Sequence, residues 1–197
     1  MDKKKELRLY GLVPYNISPI QQGIQYGHSK DEYTLSIIDH LFNNVNIDKK
    51  VVNDYIDWLR NWKTYIILNG GTTNKNPNNL GTLNKHLSTL KENGIFCSEF
   101  YEPDLGDQLT GVVFLVEEEV FIKDEKGKFV YLEFEDWIFQ HPKLPSEYTR
   151  LTFKNPKELC KNSTNPFYKN FYIEWVEYMG GEKNVFLREF LKNFRLA

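Results

Sequence analysis

Three polar side chains recur at helical spacing near the start of the chain. Gln21, Gln25 and His28 follow Ser18-Pro19, where Ser18 and Gln21 have the spacing of a capping box and Pro19 takes the first helical position. Side chains three or four residues apart share one helix face, so two amides and an imidazole are expected together. An imidazole can act as a general acid or base, and an amide can donate to a developing oxyanion. The face is therefore a candidate functional site, the alternative being a structural histidine.

A second stripe on the same helix is small and apolar. Ile20, Gly23, Ile24 and Gly27 recur at helical spacing beside the polar face. Since glycine has no side chain, this stripe predicts that a sheet packs closely against the helix through its two glycines. In that arrangement the helix buries its glycines and exposes the histidine.

Length and composition indicate one domain with an elaboration, or at most two small domains. The chain has 197 residues, of which 41% are hydrophobic and 15% aromatic, and this is enough for a substantial core. A formal net charge of -2 provides no overall field for a polyanion, so any contact with nucleic acid must be local. Cys97 and Cys160 lack metal-ligand spacing and follow no signal peptide or membrane segment. We therefore expect reduced thiols, no metal, no cofactor and a cytoplasmic location.

Hydrophobic patterns predict an α/β core over residues 1–120. Apolar runs indicate buried strands over 7–13, 64–68, 95–101 and 111–116. Amphipathic patterns indicate helices that begin at Pro19, Asp48 and Thr82. This order predicts a three-layer α/β sandwich with a mixed sheet of roughly four strands.

The pattern changes after residue 120, and 121–197 is expected to form an extension packed on the core. Val120 to Phe134, interrupted by Lys126-Gly127, predicts a β-hairpin, and the proline-containing stretch 140–166 predicts irregular structure. Two helices are expected to follow, over 167–179 and 182–195.

The last predicted helix places three cations on one face. Arg188, Lys192 and Arg195 recur there at helical spacing. Such a stripe is either a solvated surface or a clamp for a phosphate group.

Two loops at predicted strand ends contain further polar groups. Gly70 and Gly71, followed by Thr72 and Thr73, either form a nest of backbone donors for phosphate or simply end a strand. The turn from Glu102 to Asp107 contains three carboxylates, which a turn accounts for without a metal ion. Because ligands of α/β sheets bind at strand ends, we expect these loops to face one rim.

The segment Gln21-Gln22-Gly23-Ile24-Gln25-Tyr26-Gly27-His28 resembles the Lys-x-Ala-Ala-Gln-x-x-His motif of the peptidyl-tRNA hydrolase type 2 family. The turn 102–110, which leads into Val112-Val113-Phe114, is similar to the acidic loop before the last core strand of that family. The resemblance covers roughly the first 120 residues, and a compact core with a private extension resembles the phage-encoded branch. It implies a catalytic set of Gln25, His28 and Asp104, which we expect to converge in one pocket beside Gly70 and Gly71.

The family's lysine falls on Gln21, an uncharged residue. We therefore expect hydrolysis of a smaller nucleotide, such as a signal of host antiviral defence, in preference to peptidyl-tRNA cleavage at the tRNA 3′ end. A binding protein that sequesters such a nucleotide is the alternative, and a homodimer is left open. If the chain is phage-encoded, it would act in the host cytoplasm. The expected ligand-binding residues are Gln21, Gly70, Gly71, Thr72, Thr73, Thr110, Arg188 and Lys192.

Overall fold

The computed structural model describes residues 5–43, 45–144 and 155–197. The chain forms two compact units, one comprising Met1–Glu118 and Glu189–Ala197 and the other Glu119–Arg188. The sequence places a boundary at residue 120 and assigns everything after it to an extension. In the structure, the chain returns to the first unit at Glu189.

A mixed sheet of four strands forms the centre of the first unit in the part of the chain that is described. The strand order is β2-β1-β4-β3, with β1 parallel to β2 and antiparallel to β4, and β4 antiparallel to β3. The carboxyl ends of β1, β2 and β3 and the amino end of β4 therefore lie at one edge, which we call the carboxyl edge. The strands are β1 Leu7–Pro14, β2 Thr64–Gly71, β3 Cys97–Glu102 and β4 Gln108–Glu117.

Three helices accompany this sheet: α1 Pro19–Asn43, α2 Lys49–Asp57 and α3 Thr82–Glu92. The predicted capping box at the start of α1 is confirmed. The backbone N–H of Ser18 donates to Gln21 Oε1 at 3.0 Å, and the N–H of Gln21 donates to Ser18 Oγ at 3.3 Å. The helix therefore begins where the sequence places it.

The sheet is covered on both faces within the first unit. Leu9 and Val13 of β1 belong to a core cluster that also contains residues of α1 and α2. Leu12 points to the other face, where it lies near Leu83 of α3 at the Gly70 position. The first unit is thus a three-layer α/β sandwich, as the sequence predicts. The residues of the cluster between the sheet and α1 and α2 are Leu7, Leu9, Val13, Tyr26, Tyr33, Ile37, Ile47, Val52, Tyr55, Trp58 and Val113.

The close approach between α1 and the sheet occurs at strand glycines. A Cβ atom built at Gly11 would overlap the ring of Tyr26. One built at Gly111 would overlap Ser29 Oγ and would lie 2.7 Å from the carbonyl oxygen of Gln25. Only glycine leaves room for the helix at these two positions.

The prediction that α1 packs through its own glycines is wrong. A Cβ atom at Gly23 or Gly27 would have no heavy atom within 4 Å, and Ile20 and Ile24 are exposed. The helix instead turns a face of larger side chains toward the strand glycines. This inner face comprises Gln22, Gln25, Tyr26, Ser29, Tyr33 and Ile37.

The second unit is mostly helical in its described part. Its core is formed by buried aromatic and aliphatic side chains that include Phe134 and Trp175. The expected hairpin over 120–134 is reduced to a single antiparallel bridge between Lys123 and Phe129. The helices from Glu118 onward are α4 Glu118–Phe121, α5 Phe134–Gln140, α6 Pro156–Asn162, α7 Pro166–Tyr178 and α8 Glu182–Leu191.

The expectation of irregular structure over 140–166 is wrong over α6, where Pro156 occupies the first helical position. Residues 145–154 of that stretch lie outside the described residues. The last predicted helix is also shorter than expected, because α8 ends at Leu191.

The residues after α8 cover the free edge of β2. The N–H of Asn69 donates to the carbonyl oxygen of Arg195 at 3.0 Å, and the N–H of Ala197 donates to that of Ile67 at 3.1 Å. These bonds satisfy backbone groups that an edge strand otherwise exposes. None of the helices in the described residues is both long enough and apolar enough to cross a membrane.

Candidate ligand-binding site

Two hydrogen bonds fix the side chain of Gln25 on the inner face of α1. Its Nε2 donates to Glu102 Oε2 at 2.7 Å, and its Oε1 accepts a bond from Thr110 Oγ1 at 2.6 Å. Gln25 is 8% exposed and Thr110 is fully buried. Both polar atoms of the amide are engaged, so Gln25 connects α1 to β3 and β4 and orients the carboxylate of Glu102.

A bulge in the sheet explains how Thr110 reaches Gln25. The register between β3 and β4 shifts at Phe100 and Tyr101, which pair with Gly111 and Leu109 and leave Thr110 between them. Thr110 and Gly111 both face α1 as a result, although neighbouring residues of a regular strand point to opposite faces. Bulges commonly redirect a side chain in this way.

On the α1 face of the sheet, Glu102 is a site residue that the sequence patterns do not predict. It ends β3 at the carboxyl edge, directly before the 3₁₀ turn Pro103–Leu105. A signal existed in the sequence, since Glu102 was one of the three carboxylates of the predicted acidic turn. Its pairing with Gln25 depends on how α1 lies on the sheet, and the sequence does not reveal that orientation.

His28 lies one helical turn beyond Gln25 and is exposed. Its ring packs against Phe100, with the ring centroids 4.5 Å apart and the planes tilted by 55°. Asp104 is an exposed residue of the 3₁₀ turn. Within the described ranges, no hydrogen bond or ion pair joins His28 to Asp104. Glu102 lies on the same strand as Phe100, and its carboxylate contacts α1 through the hydrogen bond from Gln25.

The loops that follow β2 and β3 meet at the carboxyl edge. Lys75 Nζ donates to the carbonyl oxygen of Gly106 at 2.6 Å, and the N–H of Lys75 donates to Gln108 Oε1 at 3.2 Å. The expectation that both loops face one rim is therefore confirmed for these residues. The loop after β2 reaches the amino end of β4 through Lys75.

Gly70 and Gly71 border a cleft on the α3 face of the sheet. A Cβ atom at Gly70 would lie 2.7 Å from Leu83 of α3, whereas Gln25 and Gly111 are on the α1 face. The sequence predicts that Gln25, His28 and Asp104 share one pocket beside Gly70 and Gly71. This prediction is wrong, because the sheet separates Gln25 on the α1 face from Gly70 on the α3 face. The cleft measures about 290 Å³ and is lined by Asn69, Gly70, Gly71, Thr82, His86, Asn193, Phe194 and Arg195.

Backbone donors in the loop after β2 are already bonded to side chains of β2 and α3. The N–H of Gly71 donates to Asn69 Oδ1 at 2.9 Å, and that of Thr72 donates to Thr82 Oγ1 at 2.8 Å. The N–H of Asn74 donates to an amide oxygen at 3.0 Å. These N–H groups are therefore not available to bind a phosphate group in the way that the sequence of residues 70–73 had suggested.

Side chains give the cleft its chemical character. Burial lowers the pKa of His86 below its ordinary 6.5, so the imidazole is uncharged at neutral pH and offers one donor and one acceptor. Its ring packs edge to face against Phe194, with centroids 4.8 Å apart. Arg195 is the charged residue among those that line the cleft, and no carboxylate pairs with it in the part of the chain that is described.

Three other predicted ligand-binding residues are engaged elsewhere. Arg188 is 3% exposed in the second unit, where its Nε donates to Glu133 Oε1 at 2.9 Å and its guanidinium lies 4.2 Å from the centre of the Phe129 ring. It is therefore not placed to clamp a phosphate from solvent. Lys192 forms an ion pair with Glu189 at 2.9 Å. Gln21 serves the capping box.

Cys97 and Cys160 are free thiols. Burial raises the pKa of the Cys97 thiol to about 12 and that of Cys160 to about 11, so neither is a thiolate at neutral pH. Among the described residues, no group of histidine, cysteine, aspartate and glutamate side chains is arranged to hold a metal ion.

No known protein family matches the sequence, and no curated protein matches it significantly. The resemblance of residues 21–28 and 102–110 to the peptidyl-tRNA hydrolase type 2 family therefore stays a prediction.

Proposed function

We propose that this protein binds a nucleotide-type ligand in the cleft at the end of β2 and retains it without turnover. The observation that supports this is the presence of Arg195, His86 and Phe194 in one cleft. A guanidinium group binds phosphate through paired, charge-assisted hydrogen bonds. Aromatic rings stack on bases of any identity.

The remaining lining residues suit the polar edges of such a ligand. Asn69 and Asn193 each supply an amide, and an amide can both donate to and accept from a base or a ribose. The cleft lies at the carboxyl edge of the sheet, where open α/β sheets bind their ligands. Its volume is near the lower end of the range for small-molecule sites, which favours a mononucleotide over a larger molecule.

Retention without turnover is favoured by the surroundings of His86. A catalytic imidazole is usually oriented by a third group such as a carboxylate. Here His86 packs against two phenylalanine rings, Phe190 and Phe194, and no carboxylate lines the cleft among the described residues. The imidazole is thus placed to contact a ligand and lacks a partner to make it a base.

Replacing Arg195 by glutamine should weaken nucleotide binding at least about tenfold, because one charge-assisted contact contributes about 1.5–3 kcal/mol. Equilibrium dialysis with adenosine monophosphate, guanosine monophosphate and a cyclic dinucleotide as probes measures this. Arg60→Gln is the matched control, since Arg60 is exposed on the π-helical segment Trp58–Trp62 and does not line the cleft. Equal affinities of the two variants, or no binding of any probe by the unmodified protein, would refute the proposal.

A hydrolase with its site at His28 is the second candidate. The observation that favours it is the carboxylate of Glu102, which Gln25 holds on the face of β3 where His28 packs on Phe100. An imidazole beside an oriented carboxylate can act as a general base. The chemistry would then occur on the α1 face of the sheet, away from the cleft.

His28→Ala should abolish turnover and leave the fold intact if this second candidate is correct. His28 is exposed in the middle of the α1 sequence, where alanine is the better helix former. This gain offsets the lost contact with Phe100, so the free energy of unfolding should change little. Chromatography of the probe nucleotides after incubation and denaturation of the protein measures turnover. Recovery of intact nucleotides from the unmodified protein would contradict hydrolysis and support binding alone. Unchanged turnover in His28→Ala would show that His28 does not take part in the reaction.

A further inference from the structure

The outer face of α1 is apolar, as is much of its inner face. Six large hydrophobic side chains on this helix are between 44% and 78% exposed. They recur at helical spacing and lie opposite the inner face that packs on the sheet. Helices at a protein surface ordinarily turn polar residues outward. We call this face the outer stripe; it comprises Ile20, Ile24, Leu35, Ile38, Leu41 and Phe42.

The outer stripe is large for a surface in contact with water. Taking about 150–200 Å² for a fully exposed large side chain, the six residues expose roughly 600 Å² at the fractions they show. The largest apolar patch on a typical monomer is about 300–600 Å², and patches of this size are often functional. The outer stripe reaches the upper end of that range, in two apolar segments on either side of Asp31, and is therefore a candidate interaction surface.

We propose that the outer stripe packs antiparallel against the same stripe of a second copy of this chain. Two-fold dimers use one surface patch twice, so the patch must be complementary to itself. With the axis beside Asp31, Leu35 of one copy faces Gly27 of the other, Ile38 faces Ile24, and Phe42 faces Ile20. Large side chains in the second half of the helix thus meet small or apolar residues in the first half.

The glycine at position 27 provides the recess that this register requires. A Cβ atom at Gly27 would have no heavy atom within 4 Å, so the space above it is open. A leucine from an opposing helix can enter such a space and bring the two backbones close together. This accounts for a glycine in the interior of a 25-residue helix, where it costs about 1 kcal/mol relative to alanine and has no role within one copy.

Asp31 has a cationic neighbour near the proposed axis. It lies on the same side of α1 as the outer stripe, between Gly27 and Leu35, and it forms an ion pair with Lys30 at 3.0 Å. Two such pairs, one from each copy, would place two cations and two anions around the axis. Like-charge repulsion between the two Asp31 carboxylates is thereby offset.

The area is sufficient for a specific dimer. Two stripes of roughly 600 Å² bury about 1,200 Å² in total, which is the lower limit for stable interfaces, and flanking residues add to this. We therefore expect a dimer that dissociates on dilution.

Sedimentation velocity over a wide range of protein concentration tests the proposal. The unmodified protein should pass from monomer to dimer, and Ile38→Glu should raise the dissociation constant at least about tenfold by burying a charge. Ile173→Glu is the matched control, because Ile173 on α7 has the same 44% exposure as Ile38 and the same side chain. A monomer at every concentration, or equal dissociation constants for the two variants, would overturn the proposal.

Gly27→Leu provides a second test that does not depend on an introduced charge. Leucine fits the open space in one copy and is a better helix former, so the free energy of unfolding of the monomer should not fall. The dimer should weaken because the recess for Leu35 is filled. If Ile38→Glu fails to fold, this variant decides the question: an undiminished dimer would contradict the proposed register, and a weakened one would support it.

Discussion

Gly111→Ala is expected to destabilise the protein by about 3 kcal/mol, the upper part of the range for overpacking a core. The added methyl group would overlap Ser29 Oγ and would approach the carbonyl oxygen of Gln25 to 2.7 Å. The second contact is with backbone, which a rotamer change cannot relieve, so α1 must move away from β4. Urea denaturation followed by circular dichroism measures the change in the free energy of unfolding.

Gly23→Ala is the matched control and should act in the opposite direction. The same methyl group enters open space on an exposed helix position, and alanine raises helix stability by about 0.5–1 kcal/mol. The two variants thus distinguish two orientations of α1. If alanine at position 23 were the more damaging change, the helix glycines would be the packing surface after all.

The different surroundings of Gly23 and Gly111 show which features of α1 the sequence could predict and which it could not. The start of α1 follows from Ser18, Pro19 and Gln21, whose capping interactions are local and form as expected. The sequence does not predict which face of α1 packs on the sheet, because the helix is apolar on two sides. Its inner side includes Tyr26, whose hydroxyl donates to the carbonyl oxygen of Leu9 at 2.8 Å. A pattern of apolar residues cannot tell which of two such faces is buried.

The candidate site was less predictable than the sheet. Apolar runs within the strands, with residues such as Leu9 and Leu12, indicate burial directly, and the four strands lie close to their predicted positions. Thr110 faces α1 only because a bulge displaces it, and a bulge depends on the partner strand. Arg195 enters the cleft because the chain after α8 pairs with β2, a contact between residues more than a hundred positions apart. Long-range pairings of this kind leave no periodic signal in a single sequence.

Gln25→Leu should destabilise the protein by about 2–4 kcal/mol, the range for breaking a buried polar network. The change deprives the Thr110 hydroxyl of its acceptor at 2.6 Å and deprives Glu102 of its donor at 2.7 Å. If Gln25 were instead a catalytic donor without a structural role, the variant would keep its stability and lose only turnover. Denaturant melts of the purified variant separate these two roles.

A double-mutant cycle that combines Gln25→Leu with Thr110→Val measures the coupling energy between these two side chains. Removing both partners leaves neither Gln25 Oε1 nor Thr110 Oγ1 unsatisfied, so the double variant should be less destabilised than the sum of the single ones, by about 1 kcal/mol. Gln22→Leu supplies the control, because Gln22 is a buried glutamine of the same helix that donates to the carbonyl oxygen of Pro14 at 3.1 Å. Its cycle with Thr110→Val should be additive. Equal coupling in both cycles would mean that the effect comes from losing a glutamine on α1 and not from the bond to Thr110.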